Sequence, residues 1–384
     1  MLRAPSPAMY YRAAYVPISL LLLLLLAACD SGGSTPAPTP PPTEQASATP
    51  APANPTPTVE QATATPEANP GPTKIPTAGA GEFQNPVLRA DFADPFVLKN
   101  GDTFYAYATN GSSKNIQEAT STDLVHWTVL SDAMPALAKW AQLGGSYVWA
   151  PEVMKIGDKY VMYYTARDKT SDRQCVGVAT SDKPDGKFMD TNAQPLVCQA
   201  DQGGTIDASP FRDGDKLYLY FKNDGNCCNK PTYLYAQELA PDGLSLVGEP
   251  TQLIKNEHSW EGAVVEAPTM WKHDGKYYLF FSANNYAGFD YAVGYATCDS
   301  PTGPCEQAAE NPILQSHRTL PLVIGPGHQS IIEVNGKDWL VYHAWEVTSA
   351  GTRGNRRFMW IDQLEWKDGK PTVNGPTIGP QAIP

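Results

Sequence analysis

The chain has 384 residues and a formal net charge of −12 at pH 7. No basic cluster stands out after residue 81, so the charge argues against nucleic acid or anionic lipid as partners. The roughly 300 residues that follow the N-terminal segments are enough for one large domain with its own hydrophobic core.

The N-terminal segment, residues 1–28, has the pattern of a secretory signal peptide. Arg3 and Arg12 give it positive charge, and an apolar run from Leu20 to Leu26 follows. This run is much shorter than the about 20 apolar residues that a membrane-spanning helix needs. It ends in Leu-Ala-Ala-Cys, which resembles the bacterial lipobox. We expect Cys29 to be lipidated, with an ordinary secretory signal as the alternative, and the protein to be exported and anchored to the cell membrane or cell surface.

Residues 29–81 are rich in Pro, Thr, Ala and Ser and almost lack large apolar side chains. Nothing in this segment offsets the conformational entropy lost on ordering the chain, so the composition predicts a disordered linker. Pro-rich segments favour extended polyproline II, and a linker of this length reaches on the order of 100 Å. The membrane is therefore expected as a partner through the lipid anchor alone.

An internal repeat dominates residues 82–384. A turn that contains glycine, followed by an alternating aromatic and aliphatic segment, occurs five times, as in IGDKYVMYYTA and DGKYYLFFSA. The turn glycines, spaced 56, 57, 61 and 61 residues apart by subtraction, are Gly101, Gly157, Gly214, Gly275 and Gly336. Each copy predicts a β-hairpin, and a period of about 60 residues fits a blade of four antiparallel strands. The repeat thus predicts an all-β fold, a five-bladed β-propeller, whereas a β-sandwich gives no reason for this interval.

Six cysteines lie in this region, and none has the C-x-x-C spacing of a zinc site. An exported domain permits disulfides. They are expected for two pairs that flank turns, Cys175 with Cys198 and Cys298 with Cys305. The adjacent Cys227 and Cys228 either bond to each other or pair elsewhere. The insertion KNDGNCCNKP that contains them is expected to form a stiff feature at the rim of the domain.

Short segments with an acid beside small residues and proline precede four of the hairpins. They read ADPF at Asp94, WAPE at Glu152, IDASPF at Asp207 and VEAPT at Glu266. The first strand of each propeller blade lines the central axis, so the starts of these strands converge on one end of the channel. Like charges brought together raise one another's pKa, and this cost favours a functional use. Taken singly, each acid is as easily a turn cap or a buried ion-pair partner.

The order of these motifs, together with the fivefold repeat and a GPGH motif, resembles glycoside hydrolase family 43 over residues 82–384. The resemblance implies a catalytic trio, with Asp94 as general base and Glu266 as general acid. Asp207 would orient Glu266 and raise its pKa. The resemblance also implies inversion at the anomeric carbon, for which the two carboxyl groups should lie about 6.5–9.5 Å apart.

The resemblance further suggests contacts to metal and substrate. The histidine equivalent to His328 often faces calcium or its waters in this family, although calcium prefers several oxygen ligands. A structural calcium in the axial channel, ligated mainly by water, is therefore left open, and no cofactor is required. Arg356 or Arg357 is expected to reach the substrate, with surface solvation as the alternative. Trp149 and Phe96 are candidates for stacking on a sugar ring, although most propeller aromatics belong to the core.

The implied activity is hydrolysis of plant-type pentosyl linkages. An α-L-arabinofuranosidase is the first expectation, and β-xylosidase or endo-arabinanase are alternatives. A non-catalytic sugar-binding propeller is the alternative of another class, but it would not need acids at all three family positions. The expected partner is an oligosaccharide or polysaccharide that contains arabinose or xylose, and the protein is expected to be a monomer.

Overall fold

A computed structural model of the protein describes residues 76–144, 147–317 and 322–384. The predicted signal peptide, Cys29 and most of the predicted linker lie outside the described residues. Within the described ranges, no helix is long and apolar enough to cross a membrane.

The chain folds into successive antiparallel sheets. Strand β1 is Glu82–Phe83. The first blade consists of β2 Phe96–Asn100, β3 Thr103–Ala108, β4 Gln117–Ser121 and β5 Thr128–Val129. The second blade consists of β6 Trp149–Ile156, β7 Lys159–Asp168 and β8 Arg173–Ser181. The third blade consists of β9 Thr205–Asp213, β10 Lys216–Asn223, β11 Tyr233–Leu239 and β12 Leu246–Lys255.

The fourth blade consists of β13 Val265–His273, β14 Lys276–Ala283, β15 Ala292–Cys298 and β16 Cys305–Gln307. The fifth blade consists of β17 Ile324–Val334, β18 Lys337–Val347, β19 Arg353–Lys367 and β20 Lys370–Val373. Strand β21 is Gln381–Ala382. Short 3-10 helices occupy Ala200–Gln202, Gly225–Cys228 and Ser259–Glu261.

The five blades form a closed ring, which confirms the predicted five-bladed β-propeller. The first strands of the blades contact one another in the cyclic order β2, β6, β9, β13 and β17, and β17 returns to β2. The ends of the domain complete this closure, because β1 pairs antiparallel with β21. Near the N-terminus of the domain, Leu88 also bridges Met359 of the fifth blade.

The five turn glycines all lie between the first and second strands of their blades. Each has a positive φ, between 58° and 77°. This left-handed conformation is strained for residues with a Cβ atom, which explains why the repeat carries glycine at this place. The local turn signal that predicted five hairpins is therefore confirmed in every blade.

The hydrophobic core is divided among the five interfaces between neighbouring blades. Alternation along β10 shows the principle: Tyr218 and Tyr220 pack towards the fourth blade, whereas Leu217, Leu219 and Phe221 pack towards the second. Successive side chains of a strand point to opposite faces, so one alternating apolar strand supplies two interfaces. The same division holds for the other blades, and it gives a rigid frame around the axis.

Three disulfides are present in the described residues. Cys175 bonds to Cys198 and Cys298 to Cys305, as expected from their positions, and the adjacent Cys227 and Cys228 bond to each other.

The second blade has three strands rather than the predicted four. Beyond its third strand only isolated bridges form, at Met189 and Val197, and the Cys198 disulfide ties this segment to the blade.

Candidate active site

One left-handed residue stands near the axial end of the first strand in every blade. These residues have φ between 45° and 57°, and they are Asp94, Ala150, Asp207, Ala267 and His328. Non-glycine residues rarely adopt this conformation, and such strain concentrates at functional sites. The predicted catalytic residues Asp94 and Asp207 thus occupy equivalent places in two blades, and Glu266 directly precedes the equivalent residue of a third.

Irregular strand pairing accompanies these residues. The register between first and second strands shifts between Trp149 and Glu152, between Glu266 and Thr269, and between Gly327 and Ser330. A bulge of this kind bends the strand and re-aims a side chain. At Glu266 the bulge accompanies a side chain that faces the axial cavity.

Polar side chains on the second strands hold the left-handed residues in place. Six residues after the start of the second strand, each blade carries a buried polar residue, and these are Thr109, Thr165, Lys222, Ser282 and His343. Three of them accept the backbone N–H of the left-handed residue in the next blade: His343 from Asp94, Thr109 from Ala150 and Ser282 from His328. Neighbouring blades are therefore fastened to each other at the site itself.

A cavity of about 390 Å³ opens at this end of the axis. Its volume lies in the usual range for small-molecule sites. Its walls are formed by Asp94, Thr109, Trp149, Ile206, Asp207, Asp224, Asn226, Cys227, Glu266, Tyr286, His328 and Arg357. The structure therefore brings the three predicted catalytic acids together in one pocket.

Asp94 is buried among positively charged and hydrogen-bonding groups. Arg357 Nη1 lies 2.9 Å from its Oδ1, and Nδ1 of His328 lies 3.3 Å from the same oxygen. Thr109 donates its hydroxyl to Oδ2, and His343 Nδ1 lies 3.2 Å from Oδ1. Burial alone would raise the pKa of Asp94, but Arg357 and His328 outweigh it and hold the pKa well below its usual range. Asp94 is an ionised carboxylate at neutral pH.

Glu266 is fixed at both of its carboxyl oxygens. The hydroxyl of Tyr291 donates to Oε1 at 2.8 Å, and the ammonium group of Lys222 donates to Oε2 at 3.0 Å. Tyr291 and Lys222 are themselves fully buried. The orientation of Glu266 is therefore set by groups on its own blade and on the preceding one.

Asp207 contacts the strand that carries Glu266. Its Oδ2 accepts the backbone N–H of Ala267 at 3.0 Å. Burial raises the pKa of Asp207, and the negative charge of Glu266 raises it further, whereas His328 and Lys222 oppose the change. The contact places Asp207 where it can orient Glu266 through the adjacent peptide group.

Glu152, the fourth acid of the sequence pattern, does not line the cavity. It hydrogen-bonds Ser209, and burial raises its pKa to about 8, with a further contribution from the charge of Asp207. This carboxyl is protonated at neutral pH and acts as a polar link between the second and third blades.

The predicted substrate-binding residues divide into two groups. Trp149 and Arg357 line the cavity, and Arg357 also lies over the rings of Tyr286 and Trp345. Arg356 instead pairs with Glu346 on the surface. Phe96 packs against the apolar cluster between the first and second blades and is not among the lining residues.

Several residues that sequence reasoning missed also build the site. Lys222 and Tyr291 hold Glu266, and the half-exposed Tyr286 forms part of the wall. A signal for Lys222 was present, because a polar residue follows six positions after the start of the second strand in every blade. Tyr291 and Tyr286 have no comparable signal, because they follow the fourth hairpin in a segment outside the repeat.

The described residues do not bring three His, Cys, Asp or Glu side chains together in a way that would hold a metal ion. His328 faces Asp94 and Asp207, and its nearest charged contact is Asp94. Direct ligation by protein side chains is thus not supported at His328. A calcium ion held mainly through water stays a prediction.

Carboxyl groups on separate blades, facing one sugar-sized cavity at the end of a propeller axis, are the arrangement that a glycoside hydrolase needs. Comparison with known proteins agrees. The chain matches the family described as Glycosyl hydrolases family 43 over residues 83–371, and it belongs to that family.

Similar proteins come from fungi and bacteria. A probable arabinan endo-1,5-alpha-L-arabinosidase C of Aspergillus flavus is 30% identical over 302 residues, covering 73% of this chain and 90% of that protein. A crystal structure of a thermostable family-43 glycoside hydrolase has a TM-score of 0.71 and 34% identity, covering 79% of this chain and 99% of the other. An endo-1,4-beta-xylanase from Bacteroides thetaiotaomicron has a TM-score of 0.66 and 31% identity, covering 77% and 98%.

Proposed function

We propose that the protein is an inverting glycoside hydrolase that cleaves α-L-arabinofuranosyl linkages at chain ends or side chains. One observation carries the proposal: an ionised Asp94 and a doubly hydrogen-bonded Glu266, from different blades, face the same cavity. An acid and a base on separate supports can act on opposite sides of one glycosidic bond.

The contacts assign a role to each acid. Asp94 takes a proton from a water molecule as the water attacks the anomeric carbon. Glu266, whose carboxyl must be protonated for this step, gives its proton to the glycosidic oxygen as the bond to that oxygen breaks. Tyr291 and Lys222 then stabilise the carboxylate that Glu266 becomes, because both donate hydrogen bonds to it. Asp207 acts on Glu266 through the peptide group of Ala267.

The choice of sugar rests on the relatives. The Aspergillus flavus protein is named for arabinan, and the Bacteroides thetaiotaomicron protein is named for a xylan-type linkage. Arabinan is also the substrate in the name of a second Aspergillus flavus relative, which is 27% identical. This naming favours an arabinosyl over a xylosyl substrate. Because both Aspergillus flavus relatives are named for endo action, endo-arabinanase is the second candidate, with β-xylosidase third.

The test measures which substrates are hydrolysed by the domain that begins at Gly81. An aryl α-L-arabinofuranoside, an aryl β-D-xyloside, linear arabinan and arabino-oligosaccharides are incubated with the wild type and with Glu266→Gln. We expect the arabinofuranoside and the short oligosaccharides to be cleaved. On natural oligosaccharides Glu266→Gln should lower kcat/KM by about 10²- to 10⁴-fold, the usual contribution of general acid catalysis, and by less on aryl substrates with good leaving groups.

Two readouts separate the alternatives. Nuclear magnetic resonance of the first product should show inverted anomeric configuration, and retention would overturn the assigned mechanism. Internal cleavage of arabinan without release of arabinose would replace the proposed activity by endo-arabinanase. A wild type that cleaves none of these substrates or xylan fragments would favour the sugar-binding propeller.

We also propose that the catalytic domain is displayed on a membrane through lipid on Cys29. The support is the sequence pattern at residues 1–29. Labelling of cells with a fatty-acid analogue, followed by fractionation, tests it. Cys29→Ser should abolish the label and release the protein from membranes, and an unchanged membrane fraction would argue against the anchor.

A further inference from the structure

The turn after β10 places residues in the cavity for which the mechanism has no use. Asp224, Asn226 and Cys227 all line its wall. The turn is tightly fixed: a disulfide joins Cys227 to Cys228, and Lys230 N–H donates to the carbonyl oxygen of Gly225 at 2.9 Å. Gly225 is packed so closely that a Cβ atom there would lie 2.3 Å from the carbonyl oxygen of Pro231. These side chains are therefore presented to the cavity on a preformed support.

Asp224 has an unusual environment for a buried acid. It is 6% exposed, and within the described residues no group donates a hydrogen bond to its carboxylate. Asp94 and Glu266, by contrast, have donors on both oxygens. Because Asp224 lines the open cavity and no group of the described residues donates to its carboxylate, its hydrogen bonds come from whatever occupies the cavity, water or a bound ligand.

The charges around Asp224 agree with this picture. Burial raises its pKa to about 6, Asp207 and Glu266 raise it as well, and Lys222 and Arg173 oppose them. Around neutral pH the group is therefore largely an ionised acceptor. A cationic ligand is not required, because Lys222 and Arg173 already lie nearby.

Asn226 supplies the complementary hydrogen-bonding group. Lys222 Nζ donates to its Oδ1 at 2.7 Å, and the same ammonium group donates to Oε2 of Glu266 at 3.0 Å. With its oxygen turned to Lys222, the exposed amide of Asn226 has its N–H groups left for a ligand. An acceptor and a donor thus stand two residues apart on one turn, beside the proposed general acid.

We infer that Asp224 is a substrate-binding residue that accepts hydrogen bonds from hydroxyl groups of the bound sugar, with Asn226 donating to an adjacent sugar oxygen. The inference rests on the proposed function, which makes a sugar the occupant. Neutral hydroxyl groups suit the site because they donate to a carboxylate without bringing charge. A site built to bind a hydroxyl group discriminates strongly against sugars that lack it.

The experiment combines Asp224→Asn with deoxygenated substrates. Kinetics of the wild type and the variant are measured on an aryl α-L-arabinofuranoside and on its 2-, 3- and 5-deoxy analogues. Asp158→Asn, an exposed change in the turn between β6 and β7, is the matched control. Thermal unfolding checks that each variant is folded, and Asn226→Ala provides a second change on the same turn.

We expect Asp224→Asn to lower kcat/KM on the parent substrate by about 10- to 100-fold, as for loss of a hydrogen bond to a charged group, mainly through KM. On the analogue that lacks the bound hydroxyl group, wild type and variant should become equal. An equal loss on the parent and on all analogues would overturn the inference, because Asp224 would then act through Glu266 instead.

Failure of the proposed function has a different signature. If the wild type cleaves none of the glycosides, calorimetric titration with L-arabinose, arabinobiose and xylobiose decides the matter. Binding by the wild type that weakens in Asp224→Asn but not in Asp158→Asn supports the inference without catalysis. Equal binding by both variants, or no binding by the wild type, overturns it.

Discussion

Lys222 and Glu266 form a buried ion pair across two blades. Their Nζ and Oε2 atoms lie 3.0 Å apart, and the side chains are 0% and 12% exposed. At the same repeat position in three other blades, Thr109, Ser282 and His343 each accept a backbone N–H from the next blade. Lys222 cannot do so, because its ammonium group only donates hydrogen bonds. That N–H group, from Ala267, is instead bound by Asp207. The lysine thus departs from the structural pattern of its repeat and contacts the acid directly.

Lys222 and Glu266 should contribute to the free energy of unfolding as a pair, so that their substitutions are not additive. Removing one partner of a buried pair leaves the other charge unpaired, which typically costs about 3–5 kcal/mol of the free energy of unfolding. We expect Lys222→Met and Glu266→Gln each to show a loss of this order in urea denaturation. The double variant should lose clearly less than the sum of the two. Additive losses would mean that the contact contributes little.

Asp94→Asn should remove the base that activates water. We expect kcat/KM to fall by about 10²- to 10⁴-fold, while thermal unfolding changes little, because the amide keeps the shape of the site. Azide, which needs no base, should restore part of the rate on an aryl substrate and give a glycosyl azide. Asp102→Asn, in the exposed turn between β2 and β3, is the control. Full activity in Asp94→Asn would contradict the assignment.

Gly327→Ala should disturb the site through Tyr291. A Cβ atom at Gly327 would lie 2.2 Å from the ring of Tyr291, whose hydroxyl donates to Glu266. We expect a lower unfolding temperature and a loss of kcat/KM of at least 10-fold, about the value of a hydrogen bond to a charged group. Tyr291→Phe should lose activity to a similar extent with a smaller change in stability.

Gly379→Ala is the matched control, because an added Cβ atom meets nothing within 4 Å there. Wild-type activity in Gly327→Ala would show that the ring can move without affecting Glu266.

Glu118 should make stability depend on pH. It is 1% exposed, and burial raises its pKa from 4.5 to about 8, with a contribution from Asp185. Between these values the folded state holds a proton that the unfolded state has lost, so the free energy of unfolding decreases as pH rises from 4.5 to 8. Glu118→Gln should therefore raise the unfolding temperature more at pH 8 than at pH 5. Glu249→Gln, which changes an exposed side chain, should alter the unfolding temperature equally at pH 5 and pH 8. An equal effect of Glu118→Gln at both pH values would contradict this account.

The fold was predictable because its signals are local. A glycine with positive φ and an alternating strand recur in each blade, and neither depends on distant contacts. The meeting of the three acids in one cavity could be expected because each stands near the start of the first strand of a blade, and these strands line the axis. The disulfides that flank turns followed from the same short-range geometry.

The details of the site depend on contacts between blades, and the sequence alone does not contain them. Arg356 and Arg357 are neighbours on β19, so they point to opposite faces, and only the register with β18 decides which one meets Asp94. Phe96 looked like a pocket residue from its proximity to Asp94, but its strand face packs against the neighbouring blade. Tyr291 reaches Glu266 from the connection between β14 and β15 of the same blade, a segment that carries no repeat signal.

Pairing of β1 with β21 brings the two ends of the propeller together. A short peptide joining residue 384 to residue 81 would therefore leave all five blades intact, and the chain could be opened at an exposed turn such as that at Gly214. In such a circular permutant the order of the blades along the chain changes, while Asp94, Asp207 and Glu266 keep their places around the axis. We therefore expect catalysis to survive the permutation, because the site is formed by the closed ring whichever blade is made first.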